Sequence, residues 1–206
     1  MEYNLLLLFI PTFFAVSITP GMCMTLAMTL GMTIGIKRSL WMMAGELVGV
    51  GLVALLALIG VATLLLSHPN LFLLLKYAGG AYLLYLGIQM WRSKGKMAIP
   101  STPVNQQDVK PSALMSQGFI TAIANPKGWA FMISLLPPFI NPNSEFTPQA
   151  VQLIAIILCF EFICMLLYAI GGKTLRHLLQ QQSSVAILNR IAGSMMMIVA
   201  LWLVIG

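Results

Sequence analysis

The 206-residue chain has very little charge. Eleven Lys and Arg and five Asp and Glu make up only 8% of it, where soluble domains carry about 25%. Such a chain cannot cover a water-facing surface. With 59% hydrophobic residues and a mean hydropathy of +0.93, it is expected to be an all-α integral membrane protein. It also lacks a disulfide framework: Cys23, Cys159 and Cys164 all lie in apolar runs. Cys159 and Cys164 fall roughly 140° apart around a helix, which suits packing and not a shared metal. His68 and His177 have no second ligand nearby. No P-loop, nucleophile elbow or zinc signature is present, so neither an enzyme nor an ATP-driven pump is expected, and no cofactor. The net charge of +6 does not point to nucleic acid, because the basic residues sit in short connections between apolar runs, where they orient a membrane protein. The first run follows Glu2 with no Lys or Arg before it and continues past Ala15-Val16-Ser17. It therefore reads as a retained transmembrane helix and not a cleaved signal.

What is present is six apolar runs, at about 5–32, 39–66, 71–91, 113–140, 148–171 and 185–205, each able to cross a bilayer that needs about 20 residues. The long polar connection holds Pro100, Pro103 and Pro111 and divides a single transmembrane domain, 1–206, into half one (1–91), a linker (92–112) and half two (113–206). Lys37 and Arg38 lie in the first connection, Arg92, Lys94, Lys96 and Lys110 in the third, and Lys173, Arg176 and Arg190 in or near the fifth. By the positive-inside rule these three face the cytoplasm and both termini face the periplasm. Three spans per half then force opposite orientations, a 3+3 inverted-topology repeat of the kind common in secondary transporters.

Two runs are broken. Thr19-Pro20-Gly21 interrupts the first, and Asn125-Pro126-Lys127-Gly128 interrupts the fourth. Each half also carries an acid in its second helix, Glu46 and Glu161. At about 1.5 Å of rise per residue, Pro126 and Glu161 fall near the midplane and Glu46 roughly 9 Å to its cytoplasmic side. Proline and charge at that depth are costly unless protein, water or ligand satisfies them. A closed ion pair of Lys127 with either acid is one outcome; it leaves the other carboxylate to take a proton, a cation or a substrate ammonium. The acid farther from Lys127 is the better proton carrier, and spacing does not say which that is. Carbonyls before a break favour a cation and N–H groups after it an anion, so a zwitterionic amino acid suits the layer. Asn125, Thr19 and Ser17 can add neutral hydrogen bonds. Gly31 with Gly35, and Gly45 with Gly49, read as close helix contacts.

Ile18-Thr19-Pro20-Gly21, Gly45-Glu46, the Gly80-Ala81-Tyr82-Leu83-Leu84-Tyr85-Leu86-Gly87 run, Asn125-Pro126-Lys127 and Arg190-Ile191-Ala192-Gly193 resemble the LysE/RhtB family of bacterial amino acid exporters. The resemblance covers essentially the whole chain. It implies a six-helix inner-membrane exporter, dimeric, driven by protons, with Pro20, Gly21, Asn125, Pro126 and Lys127 in the transport core. Met22 stands where the family usually has a second proline, so the first break is expected to be softer. The expected function is export of small amino acids or related zwitterions by proton antiport. The alternatives are a metal or other cation transporter using both glutamates, and a non-transporting membrane subunit that recruits a partner.

Overall fold

The computed structural model describes residues 3–67, 69–92, 110–136, 139–141, 144–180 and 182–205. His68, Pro142, Asn143 and most of the expected linker, 93–109, lie outside them. Among the described residues every regular element is helical: α1 (Tyr3–Ile18), α2 (Met22–Thr33), α3 (Ile36–Ser67), α4 (Pro69–Arg92), α5 (Pro111–Ile123), α6 (Pro126–Leu135), α7 (Phe146–Gln180, kinked at Gly172) and α8 (Gln182–Ile205). Helices are what lipid demands, since they pair their own backbone groups. Each apolar run becomes one helix, except that the first and fourth are split at the two proline breaks. Helices Ile36–Gly60 and Phe146–Gly172 are long and apolar enough to cross a membrane, and α1 with α2, bent by 56°, makes a third crossing if the pair is one span.

Close backbone contacts set the arrangement. The most extensive packings join α3 to α5, α4 to α8 and α2 to α7. A Cβ built on Gly45 would lie 1.9 Å from the Met115 carbonyl oxygen, and one on Gly118 would lie 2.0 Å from that of Met42. Gly49 meets Phe119 and Ala122, so α3 and α5 run in the same direction. Gly87 and Gly193 meet in the same way, and Arg190 stacks 5.3 Å from the Trp91 ring centroid, so α4 and α8 are antiparallel. Gly31 abuts Ala169 and Gly172 approaches Met32, making α2 and α7 parallel. Gly35 corrects the expectation of packing. Nothing lies within 4 Å of a Cβ there, and its φ of +80° closes the α2–α3 turn in the left-handed region, where glycine avoids the Cβ penalty.

Replacing Gly118 by leucine drives a side chain into backbone and is expected to cost at least about 3 kcal/mol. Gly51→Ala meets only the Leu158 side chain, at 3.7 Å or more, and stays within about 1 kcal/mol of wild type. Thermal unfolding in detergent separates the two; equal melting temperatures would contradict the crossing.

Two apolar cores result. One gathers Phe9, Phe13, Phe131, Leu136 and Phe139 with Val53, Leu58 and Leu153. The other gathers Met24, Met28, Met42, Met43 and Leu114 with Met165 and Tyr168. The breaks and both glutamates occupy the layer between them.

Candidate functional site

The α1–α2 break exposes carbonyls at the end of α1, and they are covered both from the helix end itself and by groups from other helices. Thr19 Oγ1 donates to the Ala15 carbonyl at 2.7 Å, a bond within its own helix end. Tyr168 Oη, from α7, donates to the Ile18 carbonyl at 2.8 Å. Lys127 Nζ, from α6, donates to the Val16 and Thr19 carbonyls, both at 3.2 Å. The cation that a broken helix's carbonyl end attracts is thus the lysine of the second break.

That second break is built to aim it. Asn125 caps α6, its Oδ1 accepting from the Lys127 backbone N–H at 3.1 Å, and Pro126 opens the first turn, where its missing N–H costs nothing. Trp129 Nε1 donates to the Ile123 carbonyl at 2.9 Å, covering the end of α5. Asn125 Nδ2 reaches toward Cys23 Sγ at 3.7 Å, linking the two breaks. Gly21, the N-cap of α2, is extended at φ −136°, so its backbone does not require glycine. A Cβ there would make only ordinary contact with Lys127 Cδ and Nζ, both at 3.7 Å.

The acids differ. Glu161 Oε1 accepts from Ser17 Oγ at 2.8 Å, and its carboxylate lies within electrostatic reach of Lys127. Glu46 is fully buried and neither carboxyl oxygen has a hydrogen-bond partner. The Cys23 thiol lies beside it, outside hydrogen-bond geometry, and Glu161 is its charged neighbour. The Lys127 ammonium bonds carbonyls and forms no closed ion pair with either acid, while Glu161 stays within its field. Ser17, Glu46, Asn125, Lys127 and Glu161 line one cavity, with a free volume of about 50 Å³, that the uncapped start of α2 also borders.

The structure thus brings Thr19, Gly21, Glu46, Asn125, Lys127 and Glu161 together, with Pro20 and Pro126 shaping the backbone between them. Sequence reasoning missed Tyr168 and Cys23. A tyrosine 150 residues from its acceptor carries no local signal; its position in α7 about two turns beyond Glu161 was the available hint. Tyr168→Phe leaves the Ile18 carbonyl without that donor and is expected to cost about 1–2 kcal/mol, read as a lower melting temperature in detergent. An unchanged value would show that the bond contributes nothing.

Comparison with known proteins follows the same lines. Residues 14–206 match the family model described as LysE type translocator. An uncharacterized membrane protein of Vibrio cholerae is 27% identical over 96% of this chain and 95% of its own length. A homoserine/homoserine lactone efflux protein of Salmonella typhi is 30% identical over 76% of this chain and 74% of its own. An uncharacterized membrane protein of Bacillus subtilis, YrhP, is 27% identical over 74% of this chain and 75% of its own. No solved structure gives a significant match. The chain belongs to the LysE type translocator family and is a membrane translocator, not an enzyme.

Proposed function

We propose that this protein exports small amino acids of the homoserine class across the bacterial inner membrane by proton antiport and alternating access. The observation that carries the reading is the Lys127 ammonium held at the carbonyl end of broken α1, beside the buried Glu46 and the half-buried Glu161, in a layer between two apolar cores. The homoserine efflux relative supports the substrate class.

The six-span inverted repeat belongs to this proposal, and the helix directions support it. The broken α1–α2 span runs with α7, α3 runs with α5, and α4 opposes α8. With α2 and α3 reversed through the turn at Gly35, the halves point oppositely. Packing of α3 on α4 has its counterpart in α7 on α8. Both termini then face the periplasm, as the basic connections also suggest.

Lys127 has three N–H donors and spends two on carbonyls, leaving one for a substrate carboxylate. Two acids and one base sum to −1 when all are ionised, so a single proton neutralises the layer. Glu161 keeps the Ser17 bond and the lysine's field; Glu46 has neither. An unpaired buried carboxylate is costly, which assigns Glu46 the coupling proton. At the periplasmic end Phe9 stacks on Phe13, 5.5 Å between centroids, and meets Phe139 edge-on at 4.9 Å. Gln149 ties the segment carrying Phe139 to α7 through the Asn141 N–H and the Asn141, Ser144 and Glu145 carbonyls. This end is the closed gate, and the cycle must open it.

The metal alternative has two carboxylates but, among the described residues, no group of three or more His, Cys, Asp or Glu placed to hold an ion. A proteoliposome counterflow screen over the amino acids tests the reading. Exchange of homoserine and similar small amino acids is expected; no exchange of any amino acid would overturn it.

A further inference from the structure

Lys127 lines a second cavity as well as the carboxylate cavity. It lies between α4, α6 and α8, has a free volume of about 340 Å³, and shares Thr19, Lys127 and Phe131 with the first. We propose that the substrate binds in this second chamber, with its carboxylate on Lys127 and its side chain read by Tyr82 and Asn189, while the carboxylate cavity serves the proton. The inference rests on the export reading above and deepens it.

Size separates the two spaces. A water-sized group needs about 10–15 Å³ of free volume. The space beside the glutamates, about 50 Å³, therefore admits water-sized groups and is the tighter of the two. The space between α4, α6 and α8, about 340 Å³ and open on one side, is the roomier and takes an amino acid.

Chemistry agrees. Lys127, the cation that lines both spaces among the described residues, stands between them, so a carboxylate can reach its remaining N–H from the α4–α8 side without passing Glu46 or Glu161. An anion entering the carboxylate cavity would face both acids. In the second chamber the polar groups besides Lys127 and Thr19 are Tyr82 and Asn189, set among Leu86, Met90 and Phe131. A hydroxyl and an amide on an apolar wall suit a short polar side chain such as that of homoserine. The two helices of the wall pack closely at Gly87–Gly193 and at the Trp91–Arg190 stack. The chamber runs from the break toward the ends of α4 and α8 that carry Arg92 and Arg190, the side from which an exporter loads.

The test is proteoliposome counterflow of homoserine and of alanine, which lacks the hydroxyl, with wild type and the Asn189→Ala, Tyr82→Phe and Leu86→Trp variants. Circular dichroism and melting in detergent establish that each variant folds. Asn189→Ala is expected to raise the homoserine KM about tenfold or more, the effect of one lost hydrogen bond in a site, with little change in Vmax and a smaller change for alanine. Leu86→Trp, which fills the chamber, is expected to stop both fluxes. Tyr82→Phe keeps the ring and packing, so it reads the hydroxyl alone if Asn189→Ala fails to fold. If wild type exchanges homoserine while the folded variants keep its KM and its preference over alanine, the chamber is wrong and the export reading stands. If wild type exchanges no amino acid, the export reading fails and takes this inference with it.

Discussion

Lys127→Ala is expected to abolish homoserine export while the protein still inserts and folds. The ammonium bonds two carbonyls at the end of α1. Removing it costs the Thr19 carbonyl this donor, worth about 1–3 kcal/mol if nothing replaces it, while the Val16 carbonyl keeps the Thr19 N–H. The cavity of about 50 Å³ beside them has room for water at about 10–15 Å³ each, which limits the loss. None of the glycine crossings that join α3 to α5, α4 to α8 or α2 to α7 involves this side chain, so the architecture survives. Transport does not. A charge-assisted hydrogen bond to a substrate carboxylate contributes about 1.5–3 kcal/mol, or roughly 10- to 150-fold in affinity. The net charge of the layer also changes by one unit, which upsets proton balance. Arginine is not expected to rescue export. Its planar fork does not reproduce a compact ammonium, and the Phe131 ring, whose centroid is 5.6 Å from Nζ, packs against the site. Transport of variants matched for membrane content checks this; wild-type export by Lys127→Ala would remove the lysine from the mechanism.

Glu46→Gln is expected to separate exchange from accumulation. Glutamine keeps the shape of a neutral carboxyl group but releases no proton. Substrate exchange down its own gradient should persist within a few-fold, while accumulation driven by a proton gradient should fall at least about tenfold. The variant should melt no lower than wild type, because a buried carboxyl without hydrogen-bond partners contributes no bond to lose. Glu161→Gln should behave differently, since Glu161 accepts the Ser17 hydroxyl and shares the field of Lys127; both fluxes should decline. Counterflow and gradient-driven uptake measured on the same vesicles distinguish the cases. Identical profiles for the two variants would contradict the division of labour between the acids.

The breaks were legible in the sequence because a proline in a long apolar run has so few permitted explanations. The same cost makes Glu46, Lys127 and Glu161 conspicuous, and the structure gathers them in one layer. Which acid stands nearer the lysine was not legible. It depends on how α3 and α7 rotate about their axes, and that rotation is set by Gly45 on Met115, Gly118 on Met42 and Gly31 on Ala169. Hydroxyl roles divided in the same way. Thr19 bonds its own helix end, whereas Ser17 reaches across to Glu161. Gly35 misled because a glycine four residues from Gly31 looks like a packing pair, yet its φ of +80° shows that a turn requires it. The motifs at Gly80–Gly87 and Arg190–Gly193 were recognised only as family features. Their physical content is the α4–α8 lock, which becomes visible when Gly87 meets Gly193 and Trp91 meets Arg190.

The central claim is that a proton gradient moves an amino acid through the Lys127 layer. Its most direct test is homoserine accumulation in proteoliposomes under an imposed pH gradient, with and without a protonophore, for wild type and Lys127→Ala. The account predicts accumulation by wild type that collapses with the protonophore and is absent in the variant. Homoserine flux indifferent to both the gradient and the lysine would contradict it.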